Sequence, residues 1–188
     1  KPFEFVLTKV KPERDKNRDQ HRQKFWWLHG RSGENLKNAI SPLKRYIATP
    51  QISKHRIFIW LDQIVRPNQR IIAIAKDDLM TFGILHSRFH EIWSLKLGST
   101  LEDRPCYTPT TTFETFPFPE GLTPNLPAKD YADNPHAQAI ATAAKRLNEL
   151  RDNWLNPPDW VKRVPEMVPG YPDRLLPVDD HAAEQLKK

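Results

Sequence analysis

Cysteine is nearly absent: Cys106 is the one thiol in 188 residues. A lone thiol closes no intrachain disulfide and builds no cysteine zinc cage, so the fold must rest on an apolar core, and a reducing cytoplasm suits it. Glycine is scarce at 6 residues, and no Gly-x-Gly pair occurs, which removes the glycine-rich loop of nucleotide-cofactor folds. Long apolar runs are missing too. None approaches the ~20 residues that span a bilayer, and the opening Lys1-Pro2-Phe3-Glu4 has no secretory pattern. The expectation is a soluble piece of a longer polypeptide, with no membrane partner.

Positive charge is what the chain does have, unevenly placed. Lys and Arg outnumber Asp and Glu by 29 to 23 overall, but by 19 to 9 in residues 1–100, and they are outnumbered 10 to 14 in residues 101–188. A polyanion such as nucleic acid is the usual partner of that bias, because each phosphate contact releases counterions and steers encounter. An acidic protein surface is the alternative, making the chain a protein-interaction module. Eleven of the 18 prolines lie beyond residue 116, so the tail should be mostly extended.

Hydrophobic spacing predicts an α+β fold: a small mixed sheet with two or three packed helices, followed by a Pro-rich and helical extension. Residues 3–7 alternate like a short strand, and the charge run from Lys9 to Lys24 reads as a solvated linker. A turn at Gly30-Arg31-Ser32-Gly33 precedes a helix over about 34–45, with Leu36, Ile40 and Leu43 on one face. That turn also resembles the phosphate clamp of single-strand RNA binders, which keeps a single-stranded nucleic-acid module open as a reading. Strands are expected at 45–50, 56–61 and 70–75, the last two separated by the turn-like Arg66-Pro67-Asn68-Gln69. Asp77-Asp78 should cap one helix over about 79–97, ended by Gly98. The spacing of His136, Ile140, Ala143, Leu147, Leu150 and Trp154 predicts a third helix with an apolar seam, stopped at Asn156-Pro157-Pro158. Residues 179–188 look like the opening of another helix. Trp26, Trp27, Trp60 and Trp93 fall on apolar runs and are expected in the core.

Few motifs carry chemistry. His86 and His90 have the i, i+4 spacing of a zinc hydrolase, but no Glu follows the first His and no further ligand cluster completes a site. Asn156-Pro157-Pro158 is followed by Asp159 where a base-flipping methyltransferase motif has an aromatic, so a helix stop is the better reading. Cys106 has no local His or Asn to activate it. No catalytic, metal or cofactor site is therefore expected in this chain. The polar loop Ser99 to Thr110 is more informative. Glu102 and Arg104 stand two residues apart, so in an extended segment they share one side, and they are the residue types that read a cytosine amine and a guanine edge. A plain solvated loop is the alternative.

In order along the chain, Phe25-Trp26-Trp27-Leu28-His29-Gly30-Arg31, Arg45-Tyr46-Ile47-Ala48-Thr49-Pro50, Ser53-Lys54-His55-Arg56, the block from Gly83 to Trp93 and the block from Tyr107 to Pro119 resemble the target recognition domain of MmeI-like DNA methyltransferases. Those are single-chain type IIL restriction–modification enzymes, and the resemblance covers about residues 20–188. It implies a charged linker at 1–24, a DNA recognition domain at 25–119, and a Pro-rich and helical segment at 120–188. It also implies a sequence-specific reader of double-stranded DNA that directs adenine methylation, and in some relatives cleavage. S-adenosylmethionine would be used by a methyltransferase domain of the same polypeptide, outside this chain. The discriminating residues map onto Glu102 and Arg104, with Tyr107 in the same loop as a further base-reading candidate. Phosphate contacts are expected from Arg31, Lys44, Arg45, Lys54, His55, Arg56 and Arg88.

Overall fold

The computed structural model describes residues 2–28, 33–168 and 171–186. Two compact units divide the chain, one within residues 1–39 and the other within residues 40–188.

In the first unit, α1 (Pro2–Lys9), α2 (Lys11–Asp15) and α3 (Gln20–Lys24) replace both the expected strand and the expected linker. A lone strand would leave its amides unpaired, whereas a helix satisfies them within the segment. The charge run also contains its own punctuation. Pro12 occupies the first turn of α2, and the Asp19 carboxylate accepts the His21 and Arg22 amides at the start of α3. Trp27 contacts both Phe25 and Trp26 edge-on, and Trp26 meets Phe3 at 6.1 Å. These rings form a small cluster rather than a core: Trp27 is 53% exposed and none of α1 to α3 buries a residue. Next, α4 (Glu34–Ile40) stops short of the predicted end.

The second unit is built on β1 (Arg45–Pro50), β2 (Ile59–Asp62) and β3 (Ile71–Ile74), in the order β2-β1-β3. Both pairings are antiparallel, so the sheet is not mixed. Central β1 pairs Ile47 with Trp60 on one side and Ile74 on the other, which lines up the apolar face under the helices.

The single helix expected over 79–97 is two, α5 (Leu79–Leu85) and α6 (Arg88–Leu97). Asp78 caps the first through the Thr81 amide, and Ser87 caps the second through the His90 amide, so the break has a local cause. From α6 the chain passes directly into the hairpin β4 (Ser99–Leu101) and β5 (Arg104–Cys106). A short wide helical turn at Pro109–Phe113 follows, then the ladder Phe113, Phe118 and Phe116, with ring centroids 5.0–5.5 Å apart. After a single 3-10 turn at Ala128–Tyr131 comes α7 (Pro135–Leu155), which lies against α5.

The buried face of α7 is one residue off the predicted seam. Ala137 and Ala144 are buried and Ile140 half-buried, whereas Leu147, Leu150 and Trp154 are exposed. Gly83 explains the rotation. A Cβ there would lie 2.7 Å from Ile140 Cγ2 and 3.1 Å from Ala144 Cβ, so only a small-residue stripe can come this close. The tail adds an antiparallel hairpin that proline content concealed, β6 (Val161–Val164) with β7 (Arg174–Pro177), and then α8 (Asp180–Gln185). Ile47, Phe58, Ile74, Phe82, Leu85 and Tyr107 form the main core between sheet and helices.

Candidate nucleic-acid interface

The β4–β5 hairpin is a tight one, pairing Leu101 with Arg104 across the two turn residues Glu102 and Asp103. Glu102 takes φ 58°, a conformation that favours glycine and asparagine, so an unusual residue holds the first turn position. Backbone strain at an exposed polar tip is characteristic of functional segments. Glu102 and Arg104 do come together, but across the turn rather than along an extended strand. Arg104 Nη2 donates to Glu102 Oε2 at 2.5 Å, and both side chains remain substantially exposed. Such a pair contributes little to stability in water and is easily exchanged for other partners.

Facing the hairpin is a cleft of about 650 Å³, lined by polar and apolar side chains in similar measure, between the exit of β1, the turn before β3, and β4–β5. Gln51, Asn68, Gln69, Arg70, Leu101 and Arg104 line it. Amide and guanidinium side chains match the acceptor and donor edges of purines in a major groove. Sequence reasoning passed over Asn68, Gln69 and Arg70 because Arg66-Pro67-Asn68-Gln69 reads as a connector. The missed signal was amide side chains at the tip of a turn, where Asn68 Oδ1 accepts the Arg70 amide and fixes the bend.

The cleft walls are tied together through the backbone. Gln51 N donates to the Arg70 carbonyl and Tyr107 N to the Gln51 carbonyl, both at 2.7 Å. Ser53 N donates to the Pro105 carbonyl at 3.3 Å, and Ile52 bridges Cys106. Because Pro105 lacks an N–H, β5 offers a carbonyl but no donor at that point.

Tyr107 is not at the surface. Its side chain is fully buried, its hydroxyl is 3.2 Å from His90 Nε2, and burial pushes the phenol's pKa up. A fully buried ring presents no edge to a base, so Tyr107 acts as the floor under the hairpin, not as a reader. His90 Nδ1 donates to the Leu85 carbonyl at 3.0 Å, leaving Nε2 to accept the Tyr107 hydroxyl. Desolvation lowers the pKa of this imidazole to about 4, so it is neutral. His86 has the same arrangement: Nδ1 donates to the Phe82 carbonyl at 3.1 Å and Nε2 accepts the Phe58 amide at 3.2 Å. Both ring nitrogens of each histidine are committed, which leaves no lone pair for a metal.

Arg56 is half-buried, with its guanidinium turned inward. Its Nη1 donates to Thr49 Oγ1 at 3.0 Å and to the Pro50 carbonyl, its Nη2 to the Pro105 carbonyl at 3.2 Å, and its Cζ lies 4.9 Å from the Tyr107 ring centroid. Lys54 and His55 are exposed in the same β1–β2 loop, beside the cleft. Lys44 and Arg45 stand at the other end of β1, roughly 17 Å away at the rise of a strand. The Arg45 guanidinium stacks 3.9 Å from the Trp60 ring, which in turn stacks on Phe82 at 4.5 Å. Arg88, 79% exposed, pairs with Glu91 at the start of α6. Arg31 lies outside the described residues. Asn156 caps the end of α7, donating from Nδ2 to Asp152 Oδ1 at 2.8 Å, which commits its amide to the helix stop.

The α+β unit thus exposes a charged hairpin beside a cleft that carries amide and guanidinium groups among apolar ones, and such groups can pair with base edges. The family model of the MmeI target recognition domain matches residues 5–120, and the chain belongs to that family. It is therefore a DNA target recognition domain of the restriction–modification type. The matched span takes in the hairpin, the cleft, α2, α3 and the part of α1 from Phe5 onward. Neither the curated proteins nor the solved structures yield a match. Among the described residues no helix is long and apolar enough to cross a membrane.

Proposed function

We propose that this domain reads base edges in duplex DNA through the β4–β5 hairpin and the adjoining cleft, and so directs an adenine-specific DNA methyltransferase that belongs to the same polypeptide. The observation that carries the reading is the hairpin: an exposed Glu–Arg pair on a strained turn, above a cleft whose side chains are the donors and acceptors of base recognition. On docking, the Glu102–Arg104 pair opens. Glu102 accepts from a cytosine amine and Arg104 forks onto a purine edge, while Gln69 and Arg70 reach neighbouring bases. Lys44, Arg45, Lys54, His55 and Arg88 hold phosphates and fix the register without reading sequence. S-adenosylmethionine would be held by the methyltransferase domain outside this chain, and any nuclease is a further, separate domain; the amide of Asn156 is engaged with Asp152 at the end of α7.

The experiment maps methylated adenines by long-read sequencing in cells expressing the full parent gene, wild type beside Arg104→Asp. A change at one position of the modified motif is the expected result, since a good base contact is worth about 1–3 kcal/mol of discrimination. An unchanged motif with normal methylation removes the hairpin as reader.

A further inference from the structure

Arg56 is the residue whose chemistry the interface leaves unexplained. A guanidinium in a DNA-binding loop is normally spent on phosphate, yet this one is turned inward and desolvation draws its pKa down from the ordinary arginine value. Every contact it makes is to the frame of the cleft. It reaches Thr49 and Pro50 at the exit of β1, Pro105 in β5, and the face of Tyr107 beneath the hairpin. Those anchor points are far apart in sequence, with Arg56 and Pro105 separated by 49 residues. The short strands β4 and β5 have little core of their own: none of their six residues is buried, nor is either turn residue, and Pro105 and Cys106 are only half-buried. A two-stranded ribbon of this size is marginal unless something else holds it.

We propose that Arg56 is a positioning residue for sequence reading: its planar fork bridges the β1 exit to β5 and sets the width of the cleft and the angle of the hairpin. Lysine cannot replace it. One ammonium on a flexible stem does not reproduce a planar fork that donates to two walls and stacks on a ring. The proposal rests on the reading that the hairpin contacts bases. It differs sharply from a phosphate contact, which would weaken all sequences alike and lower the salt slope by about 1.

The test uses the full polypeptide that carries this domain, as Arg56→Lys and Arg56→Met beside Arg104→Asp. Binding is selected from a duplex library with a randomised core, and affinity for the selected duplex and for an unrelated duplex is followed against salt. Both Arg56 variants should lose roughly tenfold or more of the ratio between the two duplexes, with the salt slope unchanged. Hydrogen exchange gives the second measurement: in Arg56→Lys the amides of Ser53 and Tyr107, which bond across the cleft frame, should lose protection while those of β1 keep theirs. If Arg56→Met does not fold, Arg56→Lys carries the test alone. A salt slope lower by about 1 with the ratio intact makes Arg56 a phosphate contact and overturns the proposal. Unchanged protection at Ser53 and Tyr107 overturns it as well. An Arg104→Asp protein that still selects the wild-type sequence overturns the reading by the hairpin instead, and the exchange result separates the two failures.

Discussion

At the scale of single residues, the floor under the β4–β5 hairpin is a chain of committed polar groups: the Leu85 carbonyl, the His90 imidazole and the Tyr107 hydroxyl, with the Arg56 guanidinium on the ring face. His90 is fully buried and its pKa is lowered to about 4, against about 6.5 in an unfolded chain. The unfolded state therefore binds the extra proton first. Its contribution to stability is present above pH ~6.5 and is lost as pH falls toward 4, at no more than about 1.4 kcal/mol per unit of separation. His86, also lowered by burial, adds in the same direction. Chemical denaturation between pH 7 and pH 4 should show a decline in the unfolding free energy that is shallower in His90→Gln. The same slope in both proteins would mean that His90 is protonated in the fold, and the Tyr107 hydroxyl would need another acceptor.

At the scale of elements, the hairpin owes its place to a glycine. A Cβ on Gly98 would lie 2.5 Å from the Ser94 carbonyl oxygen and 2.7 Å from that of Cys106, both backbone atoms that cannot rotate away. Only glycine lets α6 end against β5 and start β4 at once. Gly98→Ala should lower the unfolding free energy by about 1–3 kcal/mol and disturb the hairpin more than the sheet. Thermal melts would give the first effect, and amide shifts of Leu101 to Arg104 against those of β1 the second. A protein with wild-type stability and shifts would show that the junction has slack. This junction was only partly legible in advance. Gly98 was readable as a helix stop, and β1 at Arg45–Pro50 was readable to the residue because β-branched and aromatic side chains fill a segment closed by Thr49-Pro50. Other elements were hidden for identifiable reasons. The break at Ser87 is made by one side-chain cap inside an unbroken helical period, and the Glu102-Asp103 turn lacks the Asn-Gly chemistry that announces a hairpin. The face of α7 was misjudged by one residue because the leucine spacing was followed, while the close approach allowed by Gly83 selects alanines. Residue type drew attention to Glu102 and Arg104, which the structure pairs at an exposed turn, but only burial could separate Arg56 and Tyr107 from the exposed Lys54 and His55 that neighbour them in the chain or the fold.

At the scale of the whole molecule, the excess of basic residues in positions 1–100 has to be matched to places where a duplex can lie. Lys54 stands in the loop beside the cleft and Lys44 immediately before β1, and the strand between them spans roughly 17 Å. That distance is about five base pairs of axial rise, at 3.4 Å per step along each strand, and because β1 itself is buried a duplex meets both lysines only by running from one end of the strand to the other. Neither lysine faces a base in this arrangement. Their neutralisation should act through counterion release alone: Lys44→Gln and Lys54→Gln each lower the salt slope by about 1 and weaken selected and unrelated duplexes by the same factor. Binding titrations across a salt series on the full polypeptide decide it. Loss of slope at Lys54 alone would turn the duplex across the cleft end of the sheet instead of along β1, and the footprint would then have to be completed by Arg88 and α6.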